Sequence, residues 1–153
     1  MSKDNAGVYF YGTPSTVQQI TAFADRAEVM TAMDGIKTKV SIRWPDVALS
    51  ITIDPQWNRE IQLSGIRGWI DRFPDQEKHS SAVKNFLTRL DKTVTCYGVV
   101  IMPGYDHQGK AVKLLKNILG KSGGFFFSHQ SFYDLQGIRI IGLPEDPNKL
   151  GPK

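Results

Sequence analysis

The chain has 153 residues, of which 41% are hydrophobic and 22% charged, and its formal net charge is +4. This composition is typical of a globular protein and excludes a disordered polymer, and the length predicts a single domain over 1–153. One cysteine excludes an internal disulfide and a cysteine-rich zinc site, and the sequence shows neither a signal-peptide core nor a membrane-length apolar run. We therefore expect a cytoplasmic protein that does not enter a membrane.

The first elements are predicted to be a strand and a helix. An aromatic run at 7–12 is typical of a buried strand. Thr13-Pro14 has the form of a helix N-cap followed by proline, and Asp34-Gly35 has the form of a helix end. Apolar residues recur at helical spacing between these two signals, at Val17, Ile20, Ala24, Ala27 and Met30.

A β-hairpin is predicted around Pro45-Asp46. Apolar residues alternate with polar or small ones on both sides of this pair. With a two-residue turn, Ile42 faces Leu49, and every inward-facing pair is apolar. The other inward pairs are Trp44 with Val47 and Val40 with Ile51.

A helical connector is predicted over 55–92, with Asp54-Pro55 and Asp75 as helix starts. The second half then begins with a strand at 94–102, whose apolar residues on both faces indicate a central position. Asp106 is the expected cap of the next helix. The stretch Phe125–Phe127 predicts another strand, "SFYDLQG" predicts a turn, and "IRIIGL" predicts the last strand.

These elements predict an α+β fold with a mixed, mainly antiparallel sheet. Residues 7–54 and 94–143 both have the order βαββ, which suggests an internal duplication of two halves joined by the connector 55–92. We expect the helices to pack on one face of the sheet. The alternative is that the similarity of the halves is coincidental, because their sequence identity is low.

Candidate catalytic residues are few. Cys96 lies in the middle of a predicted strand and is expected to be a buried structural thiol. His79, His107 and His129 fall on three different elements, which does not give the spacing of a metal site. The "GKS" of "ILGKSGG" follows a helix and so cannot form a helix-opening phosphate site. The sequence therefore disfavours an enzyme and predicts neither a cofactor nor a metal.

Two groups of residues are candidates for binding a partner. Tyr133 and Asp134, with His129 nearby, are expected at an exposed aromatic turn. Lys110, Lys113 and Lys116 share one face of a predicted helix, opposite its apolar residues, and Lys121 extends this basic group.

Three functions remain in consideration. The leading hypothesis is a non-enzymatic protein that occludes a protein partner, for example a toxin-neutralising immunity protein. The alternative is a small-molecule effector domain with an aromatic cleft between the two halves. Nucleic-acid binding through the lysine face is the weakest hypothesis, because no aromatic residues are interleaved with the lysines for base stacking.

Overall fold

In the computed structural model, which describes residues 4–24, 26–120 and 122–142, the strands form one antiparallel sheet. The order across the sheet is β2-β3-β4-β5-β1-β6-β7-β8. The strands are β1 (Asp4–Phe10), β2 (Glu28–Asp34), β3 (Lys37–Arg43), β4 (Ala48–Ile53), β5 (Thr95–Met102), β6 (Gly124–Ser128), β7 (Ser131–Tyr133) and β8 (Arg139–Gly142). The helices are α1 (Val17–Phe23), α2 (Arg59–Ile70), α3 (Asp75–Lys78), α4 (Ser81–Asp91) and α5 (Lys110–Leu119). The predicted α+β class with an antiparallel-rich sheet is confirmed.

The predicted hairpin is confirmed in register. Ile42 pairs with Leu49 and Val40 with Ile51. The Trp44 amide donates to the Val47 carbonyl at 2.8 Å, which closes a two-residue turn at Pro45-Asp46. The inward side chains of the three predicted pairs are buried, as the alternation requires, except Val47, which is partly buried.

The long helix predicted up to Met30 is wrong. Helix α1 ends at Phe23, and residues 28–34 form β2, which pairs with β3 over its whole length. Asp34 and Lys37 are paired residues, so Gly35-Ile36 is a two-residue hairpin turn with Gly35 at φ +63°. Asp-Gly is a strong hairpin signal as well as a helix stop, and here pairing with β3 decides between the two.

The helices also begin later in the chain than the sequence predicted. Thr16, not Thr13, caps α1, since its side chain accepts from the Gln19 amide and the Gln19 side chain accepts from the Thr16 amide. Asn58 caps α2 by accepting from the Ile61 amide. The helix expected from Asp75 is two helices, because the Ser80 side chain accepts from the Val83 amide and starts α4.

Asp54 and Asp106 do not cap helices. Each accepts from the backbone amide two residues further on, at 2.9 Å for Asp54 and 3.0 Å for Asp106. Such Asx turns are formed by the same residue types that cap helices, and they orient the chain just before a helix begins. Helix α5 itself starts after Gly109, without a side-chain cap.

The helices pack on both faces of the sheet, so the expectation of a single helical face is wrong. On the first face, Val8 and Phe10 of β1 belong to a core with α1 and α5. On the second face, Tyr9 of β1 and Phe125 of β6 belong to a separate core with α2 and α4. The alternation of side chains along β1 and β6 therefore supplies both cores.

The two halves share an order of elements but not a strand order. Because β2 is a strand, the first half is βαβββ rather than βαββ, and the second half is also βαβββ. In the first half the three strands after the helix run from the sheet edge inward, whereas in the second half they run outward. Strand β1 lies between β5 and β6, so the halves interleave. The duplication itself stays a prediction.

Candidate functional site

Tyr133, Asp134 and His129, which the sequence predicted to bind a partner, lie at one corner of the sheet. Tyr133 belongs to β7, is half-buried, and its ring stacks on Tyr105 with the centroids 6.0 Å apart. Tyr133 is therefore at the end of a strand, and not at an exposed turn as the sequence predicted. The expected turn follows it, where the Asp134 amide donates to the Ile138 carbonyl at 3.0 Å. Another turn precedes β7 at His129-Gln130, where both residues have positive φ and connect β6 to β7.

His129 and Asp134 have different partners. The His129 Nε2 lies 3.0 Å from the Asp4 Oδ2, which also accepts from the Tyr105 amide at 2.7 Å. Asp134 accepts from the amides of Gln136 and Ile138, each at 2.9 Å. The Asp134 carboxylate therefore holds its own loop.

The sequence did not indicate that His107 and Tyr105 belong to this corner. His107 Nε2 lies 3.2 Å from the Leu135 carbonyl, which can only accept, so Nε2 is the protonated nitrogen. The Tyr105 hydroxyl then donates to His107 Nδ1, at 3.1 Å. Burial lowers the pKa of His107, and Lys116 adds to this effect. Both imidazole nitrogens are thus engaged within the fold, which favours a structural role.

The lysines of α5 do not form a continuous basic face. Lys110 pairs with Asp46 at 3.0 Å, and this contact lowers the pKa of the Asp46 carboxyl. Lys113 is exposed, but Lys116 is half-buried. The helix also buries six of its ten residues, which leaves only a narrow stripe for solvent. Lys121 lies outside the described residues.

Cys96 is poorly suited to nucleophilic chemistry. It pairs across the ladder with Tyr9, and burial raises the pKa of the Cys96 thiol to about 12. Because the thiolate is the reactive form, the thiol is inert near neutral pH. Among residues 4–24, 26–120 and 122–142, no group of three or more His, Cys, Asp or Glu side chains could hold a metal ion.

The largest feature without an evident structural role is half of the second sheet face. Helices α2 and α4 cover this face over β1, β6, β7 and β8, but their core includes no residue of β2, β3, β4 or β5. We call the uncovered half the open sheet face. Its side chains are those that alternate with the buried ones on these four strands, and none of them is buried. They include Glu28, Met30, Lys39, Ser41, Arg43, Ala48, Ser50, Thr52, Gly98, Val100 and Met102.

The surface of the open sheet face is depressed at its centre, where the side chains are small. Met30, Ser41, Ser50 and Val100 are successive neighbours in one row across the strands. Space for a side chain remains at Gly98, where an added Cβ would meet no atom within 4 Å. A depression of about 530 Å³ lies over this row. Small residues at the centre therefore leave room for the side chains of a binding partner.

The rim of the open sheet face is apolar and charged. Met30 is 71% exposed. Lys39 and Arg43 are exposed cations of β3, and Glu28 is the cross-strand neighbour of Arg43. None of these three charged residues has an ion-pair partner within 4.0 Å in the described part of the chain. Their charges are therefore available to a partner.

A second depression, of about 580 Å³, adjoins the open sheet face where β4 of the first half meets β5 of the second. Trp44, Met102 and Pro103 supply apolar surface, and Arg26 and Arg43 supply cations. Where the junction of the halves runs through β5, β1 and β6, the sheet is continuous. A depression of about 450 Å³ lies between α2 and strands β1, β6 and β7, and its lining includes Tyr9, Trp69 and Phe127.

Comparison with protein-family models, curated proteins and solved structures finds no match to this chain. None of the helices in the described ranges is long and apolar enough to cross a membrane.

Proposed function

We propose that this chain is a non-enzymatic, cytoplasmic binding protein that occludes a protein partner through the open sheet face. The main observation behind the proposal is that helices cover only one half of the second sheet face. The second face bears two helices over half of the sheet and none of the described helices over the other half. An antiparallel sheet can leave one face in water when that face is polar. An open face that also carries apolar side chains, here Met30, Val100 and Met102, is typical of an interaction site.

The chemistry of the open sheet face favours a protein over other partners. Methionine and arginine are enriched in protein interfaces, and Met30, Met102 and Arg43 lie on this face. Methionine side chains adapt to the shape of a facing surface. The low centre at Ser50 and Gly98 allows a helix or loop of the partner to approach the backbone closely.

A toxin-neutralising immunity protein is one instance of this function. Such a protein works by covering the active surface of its target, and it needs no catalytic residues of its own. Immunity proteins against nucleases are often acidic because they mimic nucleic acid. The net charge of +4 therefore favours a different class of target.

Nucleic-acid binding has less support. Single-stranded nucleic acid requires aromatic platforms for stacking, and the four strands of the open sheet face present none on that side. The lysine stripe of α5 is reduced by the Lys110–Asp46 pair.

The test compares wild-type protein with two matched arginine variants in affinity capture from the native lysate. Ser50→Arg places a large cation at the half-buried centre of the open sheet face, and Asn85→Arg adds the same charge at an exposed position on α4. We expect one protein to be retained stoichiometrically by the wild type and by Asn85→Arg, and to be lost with Ser50→Arg.

Repeated failure to retain a protein, or equal retention by all three forms, would overturn the proposal. Retention of nucleic acid that is released by moderate salt would favour the third hypothesis instead. Circular dichroism of Ser50→Arg establishes that the variant is folded.

A second candidate function rests on the depression beside Trp44. Its volume lies in the range of small-molecule sites. Its lining carries the cations Arg26 and Arg43 together with the acids Glu28 and Asp46, which would suit a ligand that bears an amine as well as a carboxylate or phosphate group. A thermal-shift screen with such compounds tests this function. A ligand that stabilises the wild type but not Arg43→Gln supports a sensor, and the absence of any such ligand rules the screened class out.

A further inference from the structure

The two edges of the sheet differ in how they are protected. Strand β8 has only four residues, carries Arg139, and its pairing with β7 contains a β-bulge. Strand β2 has seven residues in unbroken register with β3, and it contains neither lysine nor proline. Short edge strands, bulges, prolines and lysines are the usual means of preventing edge-to-edge pairing. Strand β2 lacks all four, and its only charged residues, Glu28 and Asp34, stand at its two ends.

The β2 edge is also apolar on both faces. Met30 projects to the open sheet face and is 71% exposed, whereas Met33 projects to the first face and is 65% exposed. Ile36, in the turn after β2, is 50% exposed. Nothing in the described residues pairs with the outer side of β2. An additional strand would satisfy its free backbone groups and cover these side chains.

We propose that β2 pairs antiparallel with β2 of a second copy of this chain, forming a two-fold symmetric dimer with one continuous sheet. The facing strand must carry apolar residues on both faces, and β2 is itself such a strand. With the two-fold axis at Thr31, Met33 faces Val29 of the second copy and Met30 faces Ala32 of the second copy. Each large side chain then lies opposite a smaller one.

The charges at the ends of β2 weaken this register, because two acids face each other there. Glu28 would face Asp34 of the second copy at both ends of the paired strands. Each carboxylate already has a cation as its cross-strand neighbour in β3, since Glu28 pairs with Arg43 and Asp34 with Lys37. The order across the sheet is therefore cation, acid, acid, cation, so each cation offsets part of the repulsion between the two facing carboxylates. The central five residues of β2 carry no charge.

The dimer would join the two open sheet faces on one side. A two-fold axis perpendicular to the sheet leaves each face on its own side, so the open sheet faces of both copies become adjacent. The inference does not depend on the proposed function, because it rests on the outer edge of β2, with which none of the described strands pairs, and not on the open sheet face. A strand-edge interface buries little surface, so we expect dimerisation to depend on concentration.

The first test measures mass by sedimentation velocity over a range of concentrations. The wild type should change from 17.1 kDa to twice that mass as concentration rises. Met33→Lys should remain monomeric. The control, Ile138→Lys, changes a residue of similar exposure (64%) near the opposite edge and should dimerise like the wild type.

The second test addresses the register. In a Cys96→Ala background, Thr31→Cys should form a disulfide between two copies under mild oxidation, because Thr31 faces itself across the axis. Ile138→Cys should not.

Several results would overturn the proposal. They are a monomer at every concentration, open-ended aggregation in place of a discrete dimer, equal dimerisation of Met33→Lys, or a dimer that Thr31→Cys does not cross-link. Loss of the dimer in Ile138→Lys would also overturn it, since that outcome places the interface at the other edge.

Discussion

Gly137 lies against the imidazole ring of His107, and a Cβ atom at position 137 would clash with the His107 Cδ2. Gly137 also has φ +83°, a conformation that L-residues with a side chain rarely adopt. The β7–β8 loop and the loop before α5 therefore meet at this glycine. His107 completes the contact by its hydrogen bond to the Leu135 carbonyl.

Replacing this glycine should destabilise the fold. We expect Gly137→Ala to lower the free energy of unfolding by about 1–3 kcal/mol, from backbone strain and displacement of His107. Urea denaturation measures the change. Gly68→Ala in α2 is the control, because its Cβ would meet no atom within 4 Å, and helix propensity predicts a gain of about 0.5–1 kcal/mol. Equal effects of the two substitutions would contradict the packing at Gly137.

The lowered pKa of His107 predicts a pH-dependent stability. Burial is the main cause, Lys116 acts in the same direction, and the Leu135 carbonyl, Asp134 and Asp106 act against it. The unfolded chain therefore binds more protons than the folded one as pH falls through the ordinary value of 6.5, and folding is destabilised. The difference in unfolding free energy between wild type and His107→Asn should be largest above pH 6.5 and shrink below it. An NMR titration showing a His107 pKa above 6.5 would refute this sign.

The Cys96 thiol should be unreactive in the native protein. With the pKa at about 12, almost no thiolate exists at pH 8, so we expect labelling by Ellman's reagent to be more than about 100-fold slower than in urea. Stopped-flow or manual absorbance measurements suffice. Comparable rates in native and unfolded protein would show that Cys96 is accessible and ionised, and would reopen nucleophilic chemistry at this position.

The start of α1 can be located by substitution. Thr16 makes reciprocal hydrogen bonds with Gln19, so Thr16→Ala should lower the free energy of unfolding by about 0.5–2 kcal/mol. Thr13 is exposed and lies outside the helix, so Thr13→Ala should change it by less than about 0.5 kcal/mol. Thermal and urea denaturation of both variants give the comparison. A larger loss of unfolding free energy with Thr13→Ala than with Thr16→Ala would show that α1 starts at Thr13, as the sequence predicted.

The signals that predicted correctly were local and repetitive. Alternation on both sides of Pro45-Asp46 determined the β3–β4 hairpin with its register, because a shift by one residue would expose every apolar side chain. Apolar residues on both faces likewise placed β5 in the interior of the sheet. The helical connector followed from its periodicity.

The sequence signals that predicted wrongly were those that occur both at helix ends and in turns. Asp34-Gly35 serves a hairpin turn as well as it would a helix end, and only the presence of β3 as a partner decides. Asp54 and Asp106 form Asx turns with the same carboxylate geometry that caps a helix. A short-range pattern does not separate these cases, because the competing structures make equally good local hydrogen bonds.

The candidate site was decided by tertiary structure alone. The sequence showed that Lys39, Ser41 and Arg43 lie on the face opposite the buried residues of β3, and that Ser50 does so on β4. It did not show whether a helix covers that face. Alternation of apolar and polar residues indicates that one face of a strand is buried, but it does not indicate what lies on the other face. The aromatic residues Tyr9 and Phe125 draw α2 and α4 to one half of the second face. The other half of this face carries no aromatic side chain from its four strands, and its apolar residues, such as Met30 and Val100, lie among small, polar and charged ones. None of the described helices covers it.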